Sequence, residues 1–241
     1  ADVSEVSENE TSTFTFRATN NGTYNVNLTV GDGKNSTLAV FTVLVANVPP
    51  TLDLGPGRTA SEGDRLSYTV TVGREVLDRA DRTFTFQWTV LVPPGSGVAA
   101  SQSVQSSATA STFSFVPTDN GTYRVSLTVR DGTKSVPDSF LLEVSNLAPT
   151  LDLGPDRSIN EGHSTTVNIL SSAADPGTAV GGNDLVIASG AAVSWQLYLV
   201  QPDGVETLER TGSTPSLTLE GTDNGVYRLS ATVTDKDGAS A

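Results

Sequence analysis

Carboxylates are the most numerous ionisable side chains of this 241-residue chain. Aspartate and glutamate number 27 against 14 lysines and arginines, the formal net charge is −13, and the chain has one histidine and no cysteine. Without cysteine there can be no disulfide, thiolate zinc site or cysteine nucleophile. The negative charge disfavours nucleic acid as a partner, because phosphate binding requires a basic surface.

Hydrolysis is the catalytic class that these residues could most readily support. A Ser-His-Asp site would need His163, which lies in the sequence INEGHS, and the chain has no G-x-S-x-G nucleophile motif. We interpret His163 as an exposed turn residue. The carboxylates recur in repeated turns, whereas paired carboxylates that cleave glycosides would occur once, in a cleft. The sequence therefore predicts that the chain is not an enzyme. No apolar run reaches the ~20 residues of a membrane helix, so we expect no membrane insertion in this segment.

These turns belong to an internal repeat. The segments NNGTYNVNLTVGDG, DNGTYRVSLTVRDG and DNGVYRLSATVTD begin at Asn20, Asp119 and Asp223. The related segments PTLDLGPGRTASEG and PTLDLGPDRSINEG begin at Pro50 and Pro149, so a unit of about 100 residues repeats. We predict that residues 1–47 are the C-terminal half of a first repeat (the first unit). Residues 48–147 would be a complete repeat (the middle unit), and residues 148–241 a third repeat that lacks its last strand (the third unit).

The middle unit has the pattern of short strands separated by turns that is typical of a β-sandwich. Leu52 and Leu54 are expected to start a first strand, followed by strands over 66–72, 83–92 and 112–116. From Tyr123 to Val129, apolar and polar residues alternate, which places one set in the core and the other in solvent. A last strand would carry Phe140, Leu142 and Val144. Each of the two tryptophans, Trp88 and Trp195, is predicted to lie in a sandwich core.

The D-N-G-T-Y turn resembles the tyrosine corner of immunoglobulin-like sandwiches, in which a tyrosine hydroxyl bonds back to the preceding turn. Val125 stands two residues after Tyr123, where an antibody domain has its second cysteine. The run DNGTYxVxLTVxDG with a following NxAP joint is similar to polycystic-kidney-disease-type (PKD) repeats of secreted bacterial proteins, and more distantly to cadherin repeats. The Trp-Asp-Phe-Gly-Asp-Gly motif of the PKD family is absent. The resemblance implies an all-β fold of tandem immunoglobulin-like β-sandwich repeats.

Calcium is the ligand that the acidic turns favour. The sandwich topology would bring the A–B and E–F turns of the middle unit against the B–C and F–G turns of the third unit. Hard oxygen ligands collected from several loops suit Ca²⁺, and the arrangement resembles the cadherin joint. The alternative is that these residues only cap turns. The predicted metal ligands are Glu62, Asp119, Asn146, Asp175 and Asp235.

The joint between the first and middle units offers fewer such ligands. Asn20 stands where the next repeat has Asp119, and the facing loops would supply Asp78 or Asp81 together with Asp131. We therefore expect the joint between the middle and third units to bind calcium first.

A structural role follows from the repetition and from the lack of a catalytic motif. The sequence predicts a spacer, stalk or fibre segment of a large extracellular or cell-surface protein, bacterial by resemblance, with a role that includes adhesion. Its partners would be neighbouring repeats of the same chain and other copies in a fibre. The alternative is an accessory carbohydrate- or protein-binding region of a secreted hydrolase. Few aromatic residues remain outside the predicted cores and corners to stack on a sugar, which favours the first interpretation.

Overall fold

A computed structural model of the chain describes residues 3–8, 11–72, 83–94, 101–107, 109–132, 134–177, 185, 193–222 and 224–241. The fold is all-β, as predicted, and the single helical element among these residues is a short 3₁₀ turn, Leu170–Ser172. No helix in the described part of the chain is long and apolar enough to cross a membrane.

The first unit consists of two antiparallel strand pairs. Strand β1 (Val3–Glu8) pairs with β2 (Thr11–Phe16), and β3 (Gly22–Gly31) pairs with β4 (Ser36–Val45). The turn between β3 and β4 is closed by Asp32, whose carboxylate accepts hydrogen bonds from the backbone N–H groups of Lys34 and Asn35 at 2.9 and 2.7 Å. These two hydrogen bonds hold the pKa of Asp32 below its usual value.

The middle unit consists of two sheets that face each other across one core. Its strands are β5 (Arg58–Ser61), β6 (Leu66–Thr71), β7 (Phe84–Leu91), β8 (Ser101–Ser107), β9 (Ala110–Phe115), β10 (Gly121–Asp131) and β11 (Lys134–Ser145). One sheet has the order β5-β11-β10-β7-β8, and β6 and β9 form the other. Strand β5 runs parallel to β11, whereas the other pairs of this unit are antiparallel.

Apolar side chains at alternate strand positions fill the space between these two sheets, because successive side chains of a strand point to opposite faces. Tyr123, Val125, Leu127 and Val129 of β10 are all buried, and Trp88 of β7 is completely buried. The Trp88 ring stacks on Phe113 with centroids 5.4 Å apart, and its Nε1–H donates to Ser111 Oγ at 2.9 Å. The prediction that the tryptophans belong to cores is confirmed, because Trp195 is only 5% exposed in the third unit.

The third unit repeats part of this arrangement. Its strands are β12 (Thr150–Leu151), β13 (Ser164–Asn168), β14 (Ala173–Ala174), β15 (Val193–Val200), β16 (Glu206–Gly212), β17 (Ser216–Glu220) and β18 (Val226–Val233). They form the sheets β12–β14, β13–β17 and β16–β15–β18. The core lies between them and includes Ile169, Trp195, Leu197, Leu217 and Val233.

Two details of the predicted strand pattern were wrong. The stretch at Leu52 and Leu54 forms no extended strand; Leu54 packs into the core, and the first strand of the middle unit is β5. Strand β8 was not predicted. Its sequence, SQSVQSS, lacks regular apolar alternation. Strand β8 lies at the edge of its sheet, where β7 is its only partner among the described strands.

Candidate functional site at the joint between the middle and third units

The turn after β5 fixes the linker that leaves the middle unit. Gly63 occupies it with φ +79°, a conformation that favours glycine, and its N–H donates to the Pro117 carbonyl at 2.8 Å. Glu62 is completely buried. The backbone N–H of Glu62 donates to the Ser145 carbonyl at 3.1 Å, and its Oε1 accepts the backbone N–H of Leu147 at 2.7 Å. A buried carboxylate therefore holds the first residues of the linker.

A tyrosine corner positions Asp119 at the same end of the middle unit. The Tyr123 hydroxyl donates to the Asp119 carbonyl at 2.7 Å, and burial raises the pKa of that hydroxyl. The first unit has the same corner, in which the Tyr24 hydroxyl donates to the Asn20 carbonyl at 2.9 Å. The predicted corners are confirmed in both units, whereas Asp223 of the third corner lies outside the described residues.

The F–G turn of the third unit faces Asp119. Asp235 is buried, and its Oδ1 accepts the backbone N–H groups of Asp237 and Ala239, both at 2.9 Å. Its Oδ2 accepts a hydrogen bond from Asn146 Nδ2 in the linker at 2.9 Å. Lys236, the next residue, reaches across the joint, and its Nζ donates to Asp119 Oδ1 at 2.6 Å. The same ammonium group also pairs with Asp237. This turn therefore brings both a carboxylate and a cation to the joint.

The B–C side of the third unit completes the joint with Asp175 and Pro176. Asp175 Oδ1 accepts the Gly177 N–H at 2.7 Å. The pKa of Asp175 is raised, first by its burial and also by the negative charges of Asp235 and Asp237, against the opposing effects of the Gly177 hydrogen bond and of Lys236. Pro176 packs on Gly63 so closely that a Cβ added at Gly63 would lie 2.7 Å from the Pro176 Cβ.

All five predicted residues are distributed around this joint. Glu62 and Asp119 come from the middle unit, Asn146 from the linker, and Asp175 and Asp235 from the third unit. The turn-capping alternative also describes Asp175 and Asp235, since each accepts backbone N–H groups of its own turn. Within the described part of the chain, no three His, Cys, Asp or Glu side chains converge as a group that could hold a metal. The calcium site therefore stays a prediction.

Sequence reasoning missed Lys236, which supplies the positive charge of this joint. A signal was present, because the chain has few lysines and this one interrupts the F–G turn, which reads DKDG here and DG in the middle unit. Its partner Asp119 lies 117 positions earlier in the sequence. Only the arrangement of the two units brings these residues together.

Among its described residues, the joint between the first and middle units has a smaller set of contacts. Asn47 Nδ2 donates to the Asp131 backbone carbonyl at 3.2 Å, and Asp131 is buried. Asn20 and Gly132 stand at the positions that Asp119 and Lys236 occupy one repeat later. Asp78 and Asp81, the other predicted ligands of this joint, lie outside the described residues.

The remaining candidates for chemistry lie apart from both joints. His163 is exposed in a turn, as predicted, and its ring Nδ1 lies 3.4 Å from the backbone carbonyl oxygen of Glu161. Tyr68 is buried in the middle core. The Tyr198 ring lies under the Arg228 guanidinium with 4.6 Å between the guanidinium carbon and the ring centroid, and Arg228 pairs with Glu206. That ion pair lowers the pKa of Glu206.

Comparison with solved structures returns chains that include tandem Ig and FN domains and a glycoside hydrolase. The FN1–FN3 domains of chicken CNTN1 are 9% identical, with 90% of this chain and 72% of that chain covered and a TM-score of 0.28. The four N-terminal Ig domains of Dscam1 are 15% identical, with 87% and 50% covered and a TM-score of 0.31. An endo-fucoidan hydrolase of glycoside hydrolase family 107 is 15% identical, with 99% and 36% covered and a TM-score of 0.32.

Comparison by sequence finds no match. No protein-family model matches the chain, and no curated protein matches it. The low identities and TM-scores of the structural matches carry no functional argument. The similarity is therefore one of fold alone. The fold is the immunoglobulin-like β-sandwich, which the strand order and the tyrosine corners of this chain display.

Proposed function

We propose that the chain is a non-enzymatic spacer, stalk or fibre segment of an extracellular or cell-surface protein, bacterial by its PKD-like repeats, whose units are held in a fixed relative orientation. In this proposal the unit boundaries are residues 1–47, 48–147 and 148–241. The observation that carries the proposal is the buried, interlocked joint between the middle and third units. A flexible linker would leave that surface to solvent, whereas here Glu62, Asp119 and Asp235 are all buried.

Three independent contacts support a fixed orientation. Lys236 pairs with Asp119 across the joint, Asn146 joins the linker to Asp235, and Pro176 packs on Gly63. Because these contacts involve the linker and a turn from each unit, a hinge motion would break several of them together. Proline at position 149 adds stiffness, because its ring fixes φ and restricts the preceding residue.

A pair of glycine substitutions tests this proposal. Gly63 and Gly162 both have φ +79°, but only Gly63 has a neighbour, Pro176, against a built Cβ; nothing lies within 4 Å of one at Gly162. Both Gly63→Ala and Gly162→Ala should cost about 1 kcal/mol for a non-glycine residue at positive φ. Only Gly63→Ala should also displace the third unit, because its methyl group would overlap Pro176.

Residual dipolar couplings and small-angle scattering on the whole chain measure the relative orientation of the units. We expect Gly63→Ala to change the alignment of the third unit relative to the middle one, and Gly162→Ala to preserve it. Independent tumbling of the two units in the unsubstituted chain would contradict the proposal. So would equal alignment changes in the two variants.

Calcium binding at the same joint is a second candidate function. Two buried oxygens, Asn146 Oδ1 and Asp175 Oδ2, have no hydrogen-bond partner among the described residues. In the described part of the chain, five acidic side chains lie at the joint with one lysine, Lys236: Glu62, Asp119, Asp175, Asp235 and Asp237. A divalent cation would offset this excess of negative charge, and carboxylate and amide oxygens are the ligands that Ca²⁺ prefers.

Calorimetric titration of the chain with calcium tests this second candidate. If calcium binds, the unfolding temperature should rise with free calcium by mass action. The Asp175→Asn variant, which keeps the Gly177 contact but removes a charge, should bind more weakly. An Asp156→Asn variant, altered at an exposed turn, is the matched control. No heat of binding, together with equal unfolding temperatures in chelator and in millimolar calcium, would leave Lys236 as the cation of this joint.

A further inference from the structure

The sheet β16–β15–β18 of the third unit has an open groove on its outer face, the side that points away from the core. The side chains that line it alternate along the strands with buried ones, and they are Ser194, Gln196, Thr211, Ser230 and Thr232. All five of these residues are exposed. The groove has a volume of about 330 Å³, at the lower end of the roughly 300–1,000 Å³ of small-molecule sites. It therefore has room for a small ligand or for part of a longer one.

Hydroxyl and amide groups give this groove its chemical character. Each of its four hydroxyls can both donate and accept a hydrogen bond, and the Gln196 amide has a donor end and an acceptor end. Among the described residues that line the groove, none is ionisable, although the chain has a formal net charge of −13. Such a lining suits a ligand that is uncharged and is itself rich in hydroxyl groups.

A series of contacts along the same face holds Gln196 in place. Nε and Nη2 of Arg228 donate to the two carboxylate oxygens of Glu206, and the Arg228 guanidinium carbon lies 4.6 Å from the centroid of the Tyr198 ring. The Tyr198 hydroxyl donates to Gln196 Oε1 at 2.8 Å, so the Nε2 hydrogens of Gln196 remain for a ligand. A binding group that its neighbours already hold loses less conformational entropy when a ligand binds.

The described part of the middle unit has the corresponding face with different contacts. Counted from the corner tyrosines, Arg124 corresponds to Arg228, but it donates to Ser139 of β11. Leu91, the cross-strand partner of Arg124, stands where the third unit has Tyr198. Leu91 is 52% exposed although β11 extends the sheet beyond β10, so a further strand widens this sheet without covering its outer face. The open face therefore belongs to the repeat, whereas the contacts that organise the groove belong to the third unit.

We propose that this groove binds a neutral oligosaccharide. Strand β15 is paired on both sides, with β16 and with β18, so the ligand contacts side chains and does not add as a strand. The negative charge of the chain disfavours an anionic glycan, and the nearby Arg228 is already paired with Glu206. Because the Arg228 guanidinium lies over the Tyr198 ring, recognition depends on hydrogen bonds to the groove instead of stacking on an aromatic ring. The site is separate from the joint and does not depend on the spacer role.

An NMR titration of the whole chain tests the proposal. The probes are three neutral tetrasaccharides, cellotetraose, mannotetraose and maltotetraose, each taken to millimolar concentration, and trigalacturonic acid is the anionic control. We expect saturable shifts of amide signals in β15, β16 and β18 with at least one neutral probe, and none with the anionic one. The proposal would be overturned by the lack of saturable shifts with all three neutral probes, by saturation with the anionic control alone, or by shifts that map to the middle unit.

Matched variants locate the binding. Gln196→Ala should weaken binding of the best neutral probe at least tenfold, because both ends of the amide are lost. Thr232→Val, which removes one groove hydroxyl with little change of shape, should weaken it about fivefold. Both positions are exposed, so the substitutions should leave the fold intact. Thr128→Val, at the corresponding position of the middle unit, is the control and should not change the affinity. Equal losses in the two threonine variants would contradict a site in this groove.

Tyr198→Phe tests the positioning of Gln196. This variant keeps the ring next to Arg228 and removes only the hydroxyl that binds Gln196 Oε1. We expect weaker binding of the probe in the unsubstituted chain and no further loss when Tyr198→Phe is combined with Gln196→Ala, because residues that act through each other are not additive. The same loss in both backgrounds would show that the Tyr198 hydroxyl does not act through Gln196.

Discussion

The two joints of this chain have an asparagine contact in common and differ in an ion pair. Both place an asparagine from the linker, Asn47 or Asn146, against an aspartate in the F–G turn of the following unit. Among the residues that the structure describes, only the second joint adds an ion pair, between Asp119 and Lys236. The first joint has Asn20 and Gly132 at the corresponding positions, so both members of the pair are missing together.

This difference distinguishes the contact that follows from the repeated sequence from the contact that requires two charged residues. The shared asparagine contact follows from the shared turns and linker. The ion pair requires a residue from each of two units, and each residue is useful only with the other. A buried Asp119 carboxylate without a cationic partner would destabilise the fold, because its desolvation would not be offset by an ion pair. We therefore expect the second joint to be the more sensitive to charge substitutions.

Removal of Lys236 should have the largest effect on this comparison. Lys236→Met would leave the Asp119 carboxylate, whose side chain is 5% exposed, without its ion-pair partner. Loss of one member of a fully buried pair costs about 3–5 kcal/mol, and because Lys236 is partly exposed we expect about 2–4 kcal/mol. Urea unfolding followed by tryptophan fluorescence measures the loss. Lys134→Met, at an exposed strand position, is the control and should change the free energy of unfolding by less than about 0.5 kcal/mol.

Alanine in place of the two linker asparagines should give smaller and unequal effects. Asn146→Ala removes a hydrogen bond to the Asp235 carboxylate, whereas Asn47→Ala removes one to a backbone carbonyl. Hydrogen bonds to charged groups contribute about 1.5–3 kcal/mol and neutral ones about 0.5–1.5 kcal/mol. Asn146→Ala should therefore be the more destabilising in the same urea experiment. The reverse order would show that the charged joint gains nothing from its asparagine.

The pH dependence of the second joint should give the smallest effect. The folded protein raises the pKa of Asp175 above its ordinary value of 3.8, so the folded state binds this proton more tightly than the unfolded state does. Ionised Asp175 therefore costs stability at neutral pH. That cost should diminish as the pH falls through the raised pKa towards 3.8.

The comparison of the unsubstituted chain with Asp175→Asn isolates this contribution. Asp175→Asn should be the more stable of the two at neutral pH, and its advantage should shrink as the pH falls to about 4. Carboxylates that do not interact with Asp175 titrate alike in both proteins and cancel in the difference. An advantage that is constant with pH, or that grows on acidification, would contradict the raised pKa of Asp175.

The features that could be predicted from the sequence are those that repeat or alternate. Alternation in β10 identified the core residues from Tyr123 to Val129, and the repeated turn identified the tyrosine corners of Tyr24 and Tyr123. Strand β5 was missed because RTAS carries no apolar alternation and is held instead by its pairing with β11. The five joint residues could be brought together by topology alone. The hydrogen bond from the Leu147 N–H to Glu62 could not, because it depends on the path of the linker. The ion pair of Lys236 could not either, because it depends on how one unit is rotated against the next.

The parallel pairing of β5 with β11 determines how the middle unit responds to tension. The chain enters this sheet through β5 and leaves it at the end of β11, and the pairs run in register from Arg58 with Leu142 to Ser61 with Ser145. Because the strands are parallel, pulling the two ends apart slides them past each other along their length. The hydrogen bonds are then loaded in shear, all at once, instead of being peeled apart one after another as at the open end of a hairpin. A pull along the array thus meets the strongest arrangement that these few hydrogen bonds can form.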